Sequence, residues 1–217
     1  MVALITNGHS TDWRGRPFRH RNRLPALIVA VVLVILVAIV WTVAFNTNGK
    51  DAAAAACNPP DPGGAPLGHK ADGSLRDVDP APLADTRIRV FNANGQSGQA
   101  AHVAAGLSDI GFHPAADNAV ANDPVYLNQT LQCQGQIRYG ENGAATASAL
   151  WLVVPCAELI RDDRTDATVD LALGTLFHDL STNSDAEAVL KALRVAPGGS
   201  APAVDPALIA GAHDVRC

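Results

Sequence analysis

The chain has 217 residues, 48% of them hydrophobic, with 16 Lys+Arg against 21 Asp+Glu and a formal net charge of −5. Residues 1–23 hold five Arg and one Asp, a net of +4, so residues 24–217 carry −5 − 4 = −9. An acidic chain of this kind is not built for bulk attraction to nucleic acid, which is excluded as its general mode of action.

The first predicted element follows the basic tail. From Leu24 to Phe45 the sequence LPALIVAVVLVILVAIVWTVAF contains no charge. At about 1.5 Å per residue such a helix spans roughly 33 Å, the thickness of a bilayer core. Pro25 suits the first helical position, and Trp41 and Phe45 sit where interfacial aromatics are found. Arg14, Arg16, Arg19, Arg21 and Arg23 precede the run, and the positive-inside rule then places the N-terminus in the cytoplasm and the rest outside. A cleaved signal peptide would have a shorter apolar core. AAAAAC resembles a lipoprotein box, but Cys57 lies too far beyond the apolar run.

Residues 46–84 are rich in Pro, Gly and Ala without apolar periodicity, and the expectation is an extracytoplasmic spacer. A folded domain is expected over 85–217, of a size that holds one modest core. TRIRVF reads as a strand. Ser97 is the predicted N-cap of a helix whose Ala100, Val103, Ala104 and Leu107 share one face. Gly111 fits its left-handed C-terminal position, Phe112 the hydrophobic contact that follows, and Pro114 bars continuation. A weaker strand falls near AADNAV.

The pattern then returns. Ile137-Arg138 repeats Ile88-Arg89, and Asn142-Gly143 repeats Asn94-Gly95 ahead of a second alanine-rich helix. Two such strand–helix units predict a small α/β (α+β) domain of two βαβ halves sharing one sheet, with helices on one face. TVDLALG is the expected closing strand, DAEAVLKALR and DPALIAGAHDVRC the extra C-terminal helices.

All four cysteines lie on the predicted outer side, where disulfides persist. Cys133 precedes the strand of the second unit and Cys156 follows its helix. A helix returning along its strand brings those ends together, which predicts Cys133–Cys156 and leaves Cys57–Cys217. No Cys or His spacing suits a metal, and none of His9, His20, His69, His102, His113, His178 and His213 falls into a ligand pattern. No cofactor is expected.

The turn NANGQSG, between the first strand and its helix, is the candidate site. It lacks the Lys of a phosphate loop, the third glycine of a dinucleotide fingerprint and the spacing of a nucleophile elbow. Ser97 and His102 are five apart on one helix, a poor start for a triad. Asn92, Asn94, Gly95, Ser97 and Gly98 therefore read first as an architectural turn, and second as a place where backbone N–H groups hold an anion or a hydroxyl. Tyr139, beside Gly140, reads first as a packing residue and second as a ligand contact.

These segments resemble the C-terminal domain of LytR-type proteins. The resemblance rests on Val90, Asn92, Gly95, Gly98, Ala100, Gly111, Phe112, Tyr139, Gly174 and Phe177, and covers about residues 87–177. In LytR-CpsA-Psr proteins this domain follows a large catalytic domain that attaches glycopolymers to the wall, and nothing here matches that domain. The resemblance thus implies a membrane-anchored, non-enzymatic envelope protein whose partner is a cell-wall polymer or an envelope protein. The other function class is an enzyme, ligase or hydrolase, acting on envelope glycopolymers.

Overall fold

The computed structural model describes Arg14 and residues 24–51, 56–71, 73, 75–194, 204–215 and 217, with backbone alone over 39–51. Apart from Arg14, the basic tail lies outside the described residues, as do the side chains of Trp41 and Phe45. The chain divides into two units, Met1–Gly49 and Lys50–Cys217.

The first unit is formed by helix α1 (Leu24–Asp51), 28 residues long. Its large apolar side chains from Leu24 to Val37 are all at least 49% exposed. Among the described residues, whose side chains in α1 stop at 38, no helix is long and apolar enough to cross a membrane.

The second unit is built on a six-stranded mixed sheet of order β1-β5-β4-β6-β2-β3. The strands are β1 (His69–Lys70), β2 (Ile88–Asn92), β3 (Val120–Asn122), β4 (Gly135–Tyr139), β5 (Glu158–Arg161) and β6 (Val169–Leu173). The helices are α2 (Gln99–Ile110), α3 (Ala144–Trp151), α4 (Ser184–Leu193) and α5 (Pro206–Ala212). The repeat in the sequence is the architecture: β2-α2-β3 and β4-α3-β5 are both parallel crossover units. Strand β6 lies between them, parallel to β2 and antiparallel to β4.

Strand alternation sorts the side chains into two layers. Ile88, Val90, Ile137, Tyr139, Val169, Leu171 and Leu173 pack with apolar residues of all four helices. Phe91 and Ala172 point to the other face, into a smaller cluster with Ala93, Val125, Tyr126, Leu131 and Cys133. Helices cover one face only, as the pattern predicted, and loops cover the other.

Three expectations are corrected. The segment read as a spacer is part of the folded unit from Cys57 onward. Leu75 and Leu83 are 1% exposed within the main core, each contributing about 2 kcal/mol by burial. Ala65 N–H donates to the Pro124 carbonyl at 2.9 Å, and the Tyr126 hydroxyl donates to the Asn58 carbonyl at 2.5 Å. Polar, proline-rich sequence conceals this because the segment docks by backbone hydrogen bonds and two leucines rather than by a periodic face. The disulfides are Cys57–Cys133 and Cys156–Cys217. Cys133 and Cys156 do reach the same end of the sheet, as the return of α3 requires. However, Cys133 belongs to the cluster on the helix-free face, whereas Cys156 meets the residue that ends the segment after α5, on the helical side. Finally, the N-cap of α2 is Gly98, with φ +82°, and no side chain caps the helix.

Candidate binding groove

The turn after β2 is tied together by its asparagines. The Asn92 side-chain oxygen accepts from Asn94 N–H (3.2 Å) and Gly95 N–H (3.1 Å), while its amide donates to the Gln96 carbonyl (3.0 Å). The Asn94 amide donates to Gln99 Oε1 (2.7 Å) and the Gly174 carbonyl (2.8 Å), which fastens the turn to the end of β6. Gly95 and Gly98 both have positive φ, +78° and +82°, which glycine adopts without strain. The architectural reading therefore describes Asn92, Asn94, Gly95 and Gly98.

Ser97 has a different place. It is exposed, and its hydroxyl makes no hydrogen bond among the described residues. It lines a groove of 480 Å³ together with Gly98, Ala101, Asn122 and Gln129, above a floor that includes Asn92. Asn122 ends β3, and Gln129 has a left-handed backbone, φ +57°. Neither amide side chain is engaged in a hydrogen bond within the described chain. Sequence reasoning missed both, because they reach the groove by tertiary folding; only the proximity of Asn122 to the weak strand signal hinted at it.

The groove contains no titratable side chain. Its chemistry is that of neutral donors and acceptors around small alanine and glycine surfaces. It can hold hydroxyl, amide or carbonyl groups, and it offers no acid, base or nucleophile pair.

Tyr139 and Gly140 do not join this site. Register pairs Tyr139 with Val169 and Ile88 with Val169, whereas Asn92 pairs with Leu173. The two turns thus lie at opposite ends of the sheet, about 13 Å apart along the strands. Tyr139 is a core residue, 2% exposed. A side chain at Gly140 would place its Cβ 2.0 Å from the Arg164 carbonyl oxygen, so this glycine serves a close backbone approach.

Several charged groups of the unit are engaged in structural pairs. Asp170 is held by Arg89 and Arg164, each at 2.6 Å, and Arg164 also binds Asp162. Burial alone would lower the Arg164 pKa, but its hydrogen bonds to Asp162 and Asp170 raise it overall. Hydrogen bonds from the Thr168 hydroxyl and N–H hold the exposed Asp166 carboxyl below its usual range. On the helix-free face Arg138 makes a two-pronged, fully buried pair with Asp123, at 2.9 and 2.8 Å. Beside it, burial raises the Tyr126 pKa. Among the described residues no group of His, Cys, Asp and Glu could hold a metal.

Residues 85–177 match the family described as LytR cell envelope-related transcriptional attenuator. The chain is 49% identical to the cell envelope integrity protein Cei of Mycobacterium tuberculosis, with 100% of both chains covered. It also resembles the crystal structure of the soluble domain of a conserved hypothetical secreted protein from Mycobacterium marinum. That match has a TM-score of 0.63 and 50% identity, covering 70% of this chain and 100% of the other. With that fold, that pattern and full-length similarity, the chain belongs to the family of the cell envelope integrity protein Cei and carries the LytR C-terminal type of domain.

Proposed function

We propose that the chain is a membrane-anchored, non-enzymatic protein whose extracytoplasmic body supports envelope integrity by binding a cell-wall component or an envelope protein. The envelope role is supported by the relative named for envelope integrity. The outer location is supported by the secreted mycobacterial relative and by two disulfides. The uncharged Leu24–Phe45 segment behind its arginine-rich flank supports a single span with the N-terminus inside.

The observation that carries the binding reading is the groove. Ser97, Asn122 and Gln129 turn hydrogen-bonding groups into it that the body leaves unengaged, and no titratable group accompanies them. Binding, rather than bond cleavage or transfer, is what such a lining supports.

The test is complementation of envelope sensitivity by a Ser97→Ala/Gln129→Ala chain at matched abundance. Normal melting with lost protection is the expected result. Full protection by this variant would remove the groove from the function, and turnover of envelope glycopolymer by the purified chain would replace binding with catalysis.

A further inference from the structure

The two edges of the sheet are finished differently. One edge is β1, only His69 and Lys70, and its lysine pairs with Glu158 at 3.0 Å. Short strands and lysines are how sheets discourage further pairing. The other edge is β3, Val120–Asn122, and it is uncharged. Asp123, which follows it, is buried against Arg138 on the helix-free face and puts no charge on the edge.

Register shows which backbone groups of β3 are already used. Val90 N–H donates to the Ala119 carbonyl at 2.8 Å, and Asp123 N–H to the Asn92 carbonyl at 2.9 Å. Val90 and Asn92 stand opposite Val120 and Asn122. In such a parallel ladder Ala119, Ala121 and Asp123 face β2, so the N–H and C=O of Val120 and Asn122 face outward. On that side neither backbone has a partner among the described residues. Both residues are exposed, Val120 by 43%. The free ladder is short, because the left-handed backbone of Asn118, φ +47°, breaks the strand line upstream.

The groove runs beside this edge. Its wall is the start of α2, where Ser97, Gly98 and Ala101 present no bulky side chain. Ala104 and Ser108 continue that flank at helical spacing and line a small cleft over Val90 and Pro114. A strand laid against β3 finds room for every second side chain toward α2. It also passes the unengaged side-chain amides of Asn122 and Gln129. Upstream of the edge stands the Asp117 carboxylate, 71% exposed and held by Arg89 only at 3.9 Å. With a net of −9 on residues 24–217, a basic segment is favoured there, and pairing of β3 with its counterpart in a second copy is opposed.

We propose that β3 accepts an added strand: an extended segment of a partner polypeptide pairs with Val120 and Asn122, sets small uncharged side chains into the groove beside α2, and meets Asp117 with a lysine or arginine. Main-chain hydrogen bonds supply the affinity of such an addition, and the groove and Asp117 its selectivity. This rests on the reading of the groove as a binding site and assigns its occupant to the polypeptide class. A free ladder matches the donor and acceptor repeat of a peptide backbone, which a sugar chain does not offer.

The test selects short linear L-peptides from a random library against the full chain in nanodiscs. Val120→Pro removes an outward N–H and leaves the ladder to β2 intact. The expected result is enrichment of peptides with a basic residue at one end, whose binding slows amide exchange at Val120 and Asn122. Their affinity should fall about tenfold for Val120→Pro and be lost when alternate peptide nitrogens are methylated. Asp117→Lys should turn the preference from basic to acidic peptides. The exchange and N-methylation readouts use the parent chain, so they decide even where Val120→Pro melts early. In cells, Val120→Pro at matched abundance should lose envelope protection, as Ser97→Ala/Gln129→Ala does. Full protection by Val120→Pro while Ser97→Ala/Gln129→Ala fails overturns strand addition and leaves the groove to a wall polysaccharide or another ligand. Protection by both overturns the groove reading as well. No enriched peptide, or bound peptides that leave exchange at Val120 and Asn122 unchanged, overturns strand addition alone. Crosslinks between copies through Val120→Cys would assign the edge to self-association and overturn the proposal.

Discussion

Ser97 and Asn92 sit in one turn and carry different burdens. Removing the Ser97 hydroxyl leaves no protein group unpaired, so Ser97→Ala should leave stability within about 0.5 kcal/mol of the parent in a denaturant melt. Asn92→Ala strips partners from two part-buried N–H groups of the turn and one carbonyl, and should cost about 1–3 kcal/mol in the same melt. The sequence showed that Asn and Gly would make this turn, since their conformational preferences are local. It misassigned the cap because Ser97 satisfies the local rule equally well. The left-handed Gly98 after it takes the capping position and turns the hydroxyl outward. The buried Arg138–Asp123 pair could not be read at all, since each residue looks like an ordinary surface charge until the loop after β3 folds over the sheet. Arg138→Met should cost about 3–5 kcal/mol by stranding the Asp123 carboxylate, whereas replacing both by apolar residues should recover much of the loss.

Among the elements, α5 shows how a short helix is kept in place. Asp205 caps it by accepting from Ala207 N–H at 2.9 Å, Ile209 and Ala212 enter the core, and the Cys156–Cys217 bridge closes the segment behind it. His213, just past its end, stacks on Trp151 with ring centroids 3.9 Å apart. Both ring nitrogens are buried without a partner among the described residues. Burial, aided by Arg76, pushes its pKa below the ordinary 6.5. The unfolded chain therefore binds this proton more readily, and stability falls as the pH drops through that window. The melting temperature should decline between about pH 7 and pH 5, and His213→Phe, which keeps the stack, should flatten that decline. Helix α2 was legible from its periodicity and its Gly111 end, α4 from the charges at its ends, and α5 as a helical segment. Strands β1 and β5 were not: the first is two residues long, and the second follows α3 too closely to stand out as an alternating run.

At the scale of the whole molecule, the internal repeat gave the two crossover units, because each βαβ unit is written in contiguous sequence, but not the order in which β6 and β1 join them. The extent of the folded unit was not written that way. The match to the LytR family begins at residue 85, and so did the domain expected from apolar patterning. The structure shows what that boundary omits. A chain beginning at Asp85 lacks Leu75 and Leu83, both 1% exposed. It lacks β1, which pairs with β5, and the Ala81 N–H that donates to the Ala145 carbonyl at 2.9 Å. It also lacks Cys57, leaving Cys133 as a free thiol in the second apolar cluster. Two lost leucines account for roughly 3–6 kcal/mol, and the lost crosslink, closing 76 residues, for about 4–5 kcal/mol in the chain-entropy view. That sum matches the entire stability of a typical domain, about 5–15 kcal/mol. A fragment of residues 56–217 should therefore melt cooperatively, while residues 85–217 should show no cooperative transition and should bind a dye specific for exposed apolar surface. A cooperative melt from the shorter fragment, at a temperature near that of the longer one, would mean that the upstream segment merely covers the domain rather than completing its core.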